Sequence, residues 1–293
     1  MHPVLIIIGF FQLRSYSFFI ALGGVLSFCF LKMRQKEMGL RGNEDYWLLV
    51  NTIVVSGFIG ARLVYLLLEV PFSSPHFLRI LLTVNNGFSI FGFLAAVLAG
   101  VYCYSRILKL DFVRLLDYVC VIIPFWQAIG RVGCFMTGCC FGLPPLHHLP
   151  WAVTFTDPGA AVPREFLGVP LHPAQLYEAL GDAILAAFLY VVVLRGIEKG
   201  RLSRGLVCAV YLAGYGTLRF ILEWFRGDTR SLFGVITVGQ ALALGLLASS
   251  VVFFWIARRR SDKCLQSQNA GSKVPPTLGT DVSKPNKEVP CAS

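Results

Sequence analysis

The chain alternates between long apolar runs and short polar connections. Each apolar run is close to the roughly 20 residues that a helix needs to cross a bilayer. The runs therefore predict an all-α polytopic membrane protein with seven transmembrane helices. Their expected bounds are 15–31, 47–69, 88–105, 113–133, 174–194, 205–222 and 234–257.

Two of the segments outside the apolar runs allow further predictions. Residues 1–14 are too short to span, and we expect them to lie at the membrane interface before the first helix. Residues 134–173 are rich in proline and glycine and contain a β-like patch at 151–155, so they predict a small cap over the helix ends.

Composition agrees with a membrane protein. The chain is 56% hydrophobic and 14% charged, with a mean hydropathy of +0.67. Soluble domains carry about 25% charged residues, so the composition excludes a disordered chain and argues against an ordinary soluble enzyme. Residues 259–293 differ, because they contain few large apolar side chains. We expect a membrane domain over 1–258 and a disordered, basic cytoplasmic tail over 259–293.

The positions of the 26 basic residues predict the orientation. Eighteen lie in the loops and tail on one side, five on the other, and three within predicted spans. The positive-inside rule then puts the N-terminus outside and the C-terminus in the cytoplasm. The cap is therefore expected to be extracytoplasmic. The net charge of +10 reflects topology and the anionic inner leaflet, so no nucleic-acid partner is expected.

Polar side chains from several helices are expected to meet at one depth. An arginine inside a membrane costs about 2.5–3.5 kcal/mol on insertion scales, so it faces a cavity or a partner. In the predicted orientation, the three intramembrane arginines lie in the outer thirds of their helices. The outer ends of helices one and five supply further polar groups. The residues at this level are Arg62, Arg131, Arg219, Tyr16, His172, Gln175, Tyr177, Glu178 and Asp182.

Helical spacing groups these residues into faces. Tyr215, Arg219, Glu223 and Arg226 are four, four and three residues apart, which predicts one face of helix six. Because a guanidinium matches the oxygens of a phosphate, this arrangement predicts a site for an anionic phospholipid or another phosphorylated ligand. The alternative is that the arginines only pair with Glu178, Glu223 and Asp182 to hold the helices together.

The stretch from Gly130 to Gly142 ends helix four and contains Gly130, Gly133, Gly138 and Gly142. Glycines there allow close approach of a ligand or a neighbouring backbone. The same stretch contains Cys134, Cys139 and Cys140. Three interpretations stay open for these cysteines: a metal site, a redox pair, and small side chains packed around a turn. The last is favoured, since their spacing matches no structural zinc pattern. No metal or cofactor is therefore expected.

Four motifs resemble the bacterial prolipoprotein diacylglyceryl transferase family over about residues 1–258. They are Met1–Leu5 with Arg14-Ser15-Tyr16, Gly130–Gly142, His172–Glu178 and Tyr215–Arg226. The resemblance implies transfer of the diacylglyceryl group of phosphatidylglycerol to the lipobox cysteine of a prolipoprotein, at the outer face of the cytoplasmic membrane. The partners it implies are that lipid, the prolipoprotein signal peptide and the bilayer.

The resemblance also implies roles for particular residues. Arg131 and Arg219 match the family's essential arginines, while Tyr16, Gly142, Tyr215, Glu223 and Arg226 match other functional positions. We place Arg62, His172, Gln175 and Glu178 with the substrate-binding residues and Cys139 with Arg131 and Arg219 as catalytic.

The chain departs from the family pattern where the family carries polar groups. Phe91 replaces a usual histidine, Cys134 and Thr137 replace asparagines, and Cys139 replaces a glutamate. The general base therefore has no obvious candidate. We hypothesise that Cys134 and Cys139 line the same pocket. The alternatives are a phospholipid-dependent transferase with another acceptor, a non-catalytic lipid-binding protein and a thiol-redox protein.

Overall fold

A computed structural model describes residues 3–8, 11–69, 87, 89–229, 231–232 and 236–271. Helices dominate this part of the chain, and seven of them form the framework. They are α1 (Ser15–Met33), α2 (Asn43–Glu69), α3 (Ile90–Leu108), α4 (Phe112–Thr137), α5 (Ala174–Glu198), α6 (Leu206–Leu222) and α7 (Val238–Gly271).

Each predicted span coincides with one of these helices. Within the described residues, six are long and apolar enough to cross a membrane, and the apolar part of α3, Gly92–Leu108, is shorter. The molecule is therefore a mostly helical, polytopic membrane protein. The seventh span and the orientation stay predictions. The tail predicted at 259–293 overlaps the end of α7, and its remaining residues, 272–293, lie outside the described part.

The all-α expectation was incomplete, because short antiparallel strands occupy three connections. Val4–Ile8 (β1) pairs with Phe11–Arg14 (β2), Val153–Thr154 (β3) with Pro170–Leu171 (β4), and Ser231–Leu232 (β5) with Ile236–Thr237 (β6). The first pair adds a hairpin to the segment expected at the membrane interface, and its β-branched and aliphatic residues suit strands. The interfacial location of residues 1–14 stays a prediction. The second pair confirms the β-like patch.

The chain divides into two compact units, one of residues 1–27 and 117–293 and the other of residues 28–116. In the second unit, α2 packs closely on α3. A Cβ added to Gly60 would overlap the backbone at Gly92, and a Cβ on Gly92 would overlap the backbone at Gly60. Small residues of this kind let helices approach in a membrane, where lipid supplies little hydrophobic drive for association.

In the first unit, α1 packs on α4 through one aromatic ring. Trp126 lies against Gly23 and Gly24, and its indole N–H donates to the Ile20 carbonyl at 2.9 Å. The cap begins at Gly138, where φ is +84° and α4 stops. It has its own small core, formed by Phe141, Phe155, Val162 and Leu171.

Candidate active site

The site is built around Glu178, which lies in the first turns of α5. Its side chain is 2% exposed, and its Oε1 lies 2.6 Å from a terminal nitrogen of Arg131 on α4. The other carboxylate oxygen accepts a hydrogen bond from Arg226 at 3.3 Å. One buried carboxylate thus holds two guanidinium groups that come from different parts of the chain.

Arg226 reaches this carboxylate from an extended segment and not from a helix. α6 ends at Leu222, a single 3-10 turn follows at Glu223–Phe225, and Arg226 itself is extended, with φ −87° and ψ 138°. The prediction that Arg226 continues the face of helix six was therefore wrong. The helix ends early because the chain next pairs with the cap, through a β-bridge between Arg226 and Gly142.

Gly142 is required for that pairing. A Cβ there would overlap the carbonyl oxygen of His172 and lie 2.9 Å from that of Phe225. On either side of it, Leu143 N–H donates to the Phe225 carbonyl at 2.9 Å and Gly227 N–H to the Phe141 carbonyl at 2.9 Å. The expectation that glycine here permits close backbone approach is confirmed. The side chain of Asp228, which the sequence analysis missed, accepts from Arg226 at 3.0 and 2.8 Å.

Arg219 has its own carboxylate partner. Its Nη1 lies 2.7 Å from Oε2 of Glu223, one turn further along, and the other Glu223 oxygen accepts from the Thr237 hydroxyl at 2.6 Å. A Cβ on Gly239 would collide with this carboxylate, so the start of α7 closes over it. The support from Thr237 and Gly239 was not predicted, because it depends on a contact between α6 and α7.

Two tyrosines complete the surroundings of the arginines. Tyr215 stacks on Tyr211 with ring centroids 5.9 Å apart, and it interacts electrostatically with Arg131, Glu178 and Arg219. Tyr16 packs with its backbone against Gly133 and is 44% exposed. Its hydroxyl interacts electrostatically with Arg131 and with the neighbouring cysteines. Both tyrosines therefore lie where the sequence analysis expected them, beside the arginines.

Residues at the start of α5 connect the cap to this network. Gln175 is buried and donates from its side-chain amide to the Cys139 carbonyl at 2.9 Å. His172 N–H donates to the Leu143 carbonyl at 3.0 Å, and the His172 ring nitrogen Nδ1 lies 3.3 Å from the Tyr177 hydroxyl. Trp151 of the cap donates to the same hydroxyl at 2.8 Å. These contacts hold the cap against the start of α5.

Asp182 lies one turn below Glu178 and is fully buried. The alternative interpretation had it pairing with an arginine. Among the described residues, neither carboxylate oxygen of Asp182 has a hydrogen-bond partner. Glu178 and Glu223 do pair with arginines, as that interpretation expected, but Arg131 and Arg219 stay about one-fifth exposed.

The three cysteines of the Gly130–Gly142 stretch converge. The sulfur atoms of Cys134, Cys139 and Cys140 all lie within 4.8 Å of one another, so these residues could hold a metal ion. Hydrogen bonds with the other two thiols, and then the positive charges of Arg131 and Arg226, lower the pKa of the Cys140 thiol below its ordinary value. The Cys140 thiol is thus suited to carry negative charge beside the arginines, whereas hydrogen bonds with its two neighbours raise the pKa of the Cys139 thiol.

Two residues of the sequence hypothesis belong to the other unit. Arg62 is buried on α2, where it donates to the Gly87 carbonyl at 3.0 Å and lies over the Tyr65 ring. Phe91 is in α3, and its side chain lies outside the part of the chain that the structure describes. The role of Arg62 stays a prediction.

The arrangement in the first unit can bind an anion with two partly exposed guanidinium groups, each held in place by a buried carboxylate. Paired in this way, the arginines keep free N–H donors for a phosphate. Thiol groups lie directly beside the anion-binding groups. A site of this composition suits chemistry on a phosphate ester, with sulfur close to the reacting centre.

Comparison with known proteins agrees with this chemistry. A sequence model of the prolipoprotein diacylglyceryl transferase family matches residues 3–256. A phosphatidylglycerol–prolipoprotein diacylglyceryl transferase of Clostridium tetani is 31% identical over 263 residues, covering 89% of this chain and 99% of the relative. That of Photorhabdus laumondii is 30% identical, covering 89% and 94%. That of Proteus mirabilis is 29% identical, covering 88% and 92%. The chain therefore belongs to the prolipoprotein diacylglyceryl transferase family.

Proposed function

We propose that this protein transfers the diacylglyceryl group of phosphatidylglycerol to the lipobox cysteine of prolipoproteins, at the outer face of the bacterial cytoplasmic membrane. Family membership and the names of the relatives support the reaction. The observation that carries it in this chain is the network of Arg131, Glu178 and Arg226, which holds positive charge at the end of two apolar helices.

The reaction joins sulfur to carbon. The thiolate of the acceptor attacks the glycerol carbon that carries the phosphate ester, a C–S bond forms, and the C–O bond breaks. The electron pair leaves with the phosphate oxygen, so the second product is glycerol phosphate. The thiol proton passes to the solvent or to that phosphate.

Arg131 and Arg219 fit the catalytic task of this reaction. Negative charge develops on the leaving phosphate oxygen, and fixed guanidinium donors in a water-poor site stabilise such charge strongly. Glu178 and Glu223 act as positioning residues, since each fixes one of these arginines and is itself 2% exposed. Arg226 adds charge, and Gly142 allows it to approach.

The remaining substrate-binding residues have supporting roles in this proposal. Tyr16 is exposed and lies beside Arg131, where its hydroxyl can meet a lipid headgroup. Tyr215 supports Arg131 and Arg219. Gln175 and His172 hold the loop that carries Cys139 and the bridge at Gly142. Arg62 is proposed as a further headgroup contact on the sequence argument alone.

The location follows from the charge distribution. Eighteen basic residues on one side favour an extracytoplasmic N-terminus and seven spans. That orientation puts the cap, the start of α5 and the ends of α4 and α6 that carry Arg131 and Arg219 at the outer leaflet. Prolipoproteins emerge on that side, with their signal peptide still in the membrane.

The test is complementation of a conditional diacylglyceryl transferase mutant, followed by transfer from phosphatidylglycerol to a lipobox peptide in detergent. We expect the chain to restore growth and to give a peptide heavier by one diacylglyceryl group. Arg219→Ala should lower the transfer rate by about 100-fold or more. The matched control is Arg164→Ala, an exposed arginine of the cap, which should leave the rate unchanged.

Two results would contradict the proposal. If the protein is well expressed but neither restores growth nor modifies the peptide, the lipobox cysteine is not its acceptor. That result would favour a related transferase with another acceptor. Binding of phosphatidylglycerol with no turnover of any thiol would favour the non-catalytic lipid-binding alternative.

A further inference from the structure

The cysteine cluster is the feature that the proposed function leaves unused. Cys134 lies in the last turn of α4, and Cys139 and Cys140 follow directly after the helix. Their sulfur atoms lie within 4.8 Å of one another. Tetrahedral zinc binds thiolates at about 2.3 Å, which requires sulfur–sulfur distances of about 3.8 Å. Side-chain rotation and shifts of about 1 Å are enough to reach that geometry.

The backbone is folded to bring these sulfurs together. Gly138 has φ +84°, and Cys140 has φ +57°, a conformation that a residue with a side chain rarely adopts. The turn is held by Gly138 N–H donating to the Cys134 carbonyl at 2.8 Å and by Gln175 donating to the Cys139 carbonyl at 2.9 Å. Strain of this kind persists where surrounding contacts impose it, and it concentrates at functional sites.

Charge and access both suit a metal. Three thiolates and one Zn²⁺ carry a net charge of about −1, and Arg131 and Arg226 lie beside the sulfurs to balance it. The Arg226 side chain also interacts electrostatically with Cys140. Cys134 is buried, whereas Cys139 and Cys140 are partly exposed. One side of the cluster is thus open to another ligand.

The proposed reaction needs a thiolate, and the carboxylates near the arginines are poorly suited to generate one. Glu178, Glu223 and Asp228 are each ion-paired with arginine, and Asp182 is fully buried. A zinc ion removes the need for such a base, because a thiol that coordinates zinc is deprotonated outright. Catalytic zinc sites keep three protein ligands and leave the fourth position for water or substrate.

We propose that Cys134, Cys139 and Cys140 bind one zinc ion and that its fourth position receives the lipobox thiol of the acceptor. This inference rests on the proposed function. The acceptor thiol binds as thiolate, releasing its proton to solvent, and its sulfur then attacks the glycerol carbon while the C–O bond breaks toward the phosphate. The thioether product carries no negative charge, so it leaves the metal. Zinc keeps its oxidation state throughout.

The first experiment measures metal on the full-length protein in detergent. Protein prepared with Zn²⁺ is expected to contain about one zinc per chain. Cys134→Ser, Cys139→Ser and Cys140→Ser should each weaken zinc binding by about 100-fold or more. Cys103→Ser, an exposed cysteine of α3, is the matched control and should keep full occupancy. Zinc content below about 0.1 per chain, or copper in its place, would overturn the proposal.

The second experiment tests the open position. With Co²⁺ in place of zinc, thiolate-to-cobalt absorption should appear and should intensify when a lipobox peptide is added. The same peptide with serine for its cysteine should cause no change. Retained cobalt absorption without a response to the cysteine peptide would overturn the open fourth position.

Measurements of transfer activity distinguish the zinc site from the proposed reaction. Chelation should lower transfer by about 100-fold or more, and added Zn²⁺ should restore it. Full transfer by metal-free protein, or by the three serine variants, would overturn the zinc site and leave the transferase standing. Stoichiometric zinc and a cobalt response without any transfer from phosphatidylglycerol would overturn the transferase and leave the thiol-binding metal site standing.

Discussion

The two ends of α4 use buried polar residues in different ways. At its beginning, the Asp117 carboxylate accepts the Gly205 N–H at 2.7 Å, and the Tyr118 hydroxyl donates to Glu198 at 2.9 Å. These bonds tie α4 to the turn between α5 and α6. At its other end, Arg131 pairs with Glu178 but stays 20% exposed, and three thiols lie beside it.

The difference separates a structural polar group from a functional one. Asp117 satisfies a backbone donor whose burial without a partner would be costly. Among the described residues, the Arg131 side chain has no hydrogen bond to a backbone group, and the desolvation of an ion pair in a membrane offsets much of its attraction. A charged pair that adds little stability, yet leaves donors accessible, is typical of a ligand site.

Arg131→Ala should have the largest effect on activity. It removes the guanidinium expected to face the phosphate, so the transfer rate should fall by about 1,000-fold. Glu178 keeps Arg226 as a partner, so the protein should still fold. Mass spectrometry of the lipidated peptide measures the transfer rate, and thermal unfolding in detergent measures the stability of the variant.

The matched change at the other end of α4 is Tyr118→Phe, which removes the hydroxyl that donates to Glu198. Its transfer rate per folded molecule should equal that of the unmodified protein. Equal loss of activity in Tyr118→Phe and Arg131→Ala would show that the two ends of α4 do not differ in their role in catalysis.

Glu178→Gln should rank second, with a loss of about 100-fold. The two arginines lose their shared carboxylate, although Arg226 keeps Asp228. The rate constant kcat should fall more than KM for phosphatidylglycerol rises, and Glu178→Asp should restore part of it. Steady-state kinetics over a range of lipid concentrations distinguish this from a simple folding defect.

Glu198→Gln is the corresponding control on α5, since it keeps an acceptor for Tyr118. It should leave kcat and KM unchanged. If Glu178→Gln also left kcat unchanged, its carboxylate would be structural, as Asp117 is.

Gly142→Ala should lower the transfer rate by about tenfold. A methyl group would overlap the His172 carbonyl oxygen and force apart the bridge that brings Arg226 to Glu178. Because the change is indirect, Arg131 should keep its role. The control is Gly168→Ala in the cap, where φ is +79° and nothing lies within 4 Å of an added Cβ. Equal rates for the two variants would show that the bridge does not matter for catalysis.

Asp117→Ala should have the smallest effect on activity. It leaves the Gly205 N–H without its acceptor, which should lower the free energy of unfolding by about 1–2 kcal/mol. Transfer per folded molecule should not change. Thermal unfolding of Asp117→Ala and Arg131→Ala in detergent measures the change in stability. A large loss of transfer activity in Asp117→Ala would show that this end of α4 belongs to the functional site.

The sequence predicted the helical framework well because helix formation in lipid is a local matter. Each spanning segment must satisfy its own backbone hydrogen bonds, so apolar length alone marks it. The positions of Arg131 and Glu178 near the ends of α4 and α5 followed from the same pattern. The strands at 4–14 did not follow, since they are too short and too apolar to stand out from a membrane segment.

The details of the site needed the fold. Helical spacing put Arg226 on the face of Tyr215 and Arg219, but the helix ends at Leu222. Thr237 of β6 and Gly239 of α7 support Glu223, and no spacing rule connects residues so far apart. The sequence supported only a hypothesis that Cys134 and Cys139 share a pocket, because the convergence of all three thiols depends on positive φ angles at Gly138 and Cys140.

By itself, the sequence determined a polytopic membrane protein with arginines gathered near the helix ends, because hydropathy and charge are properties of single segments. The tertiary structure alone decided which carboxylate holds which arginine and that three thiols meet. Arg226 and Glu178 are 48 residues apart, and their contact exists only because Gly142 lets the cap and the end of α6 pair. Such contacts depend on chain reversals whose geometry no local pattern encodes.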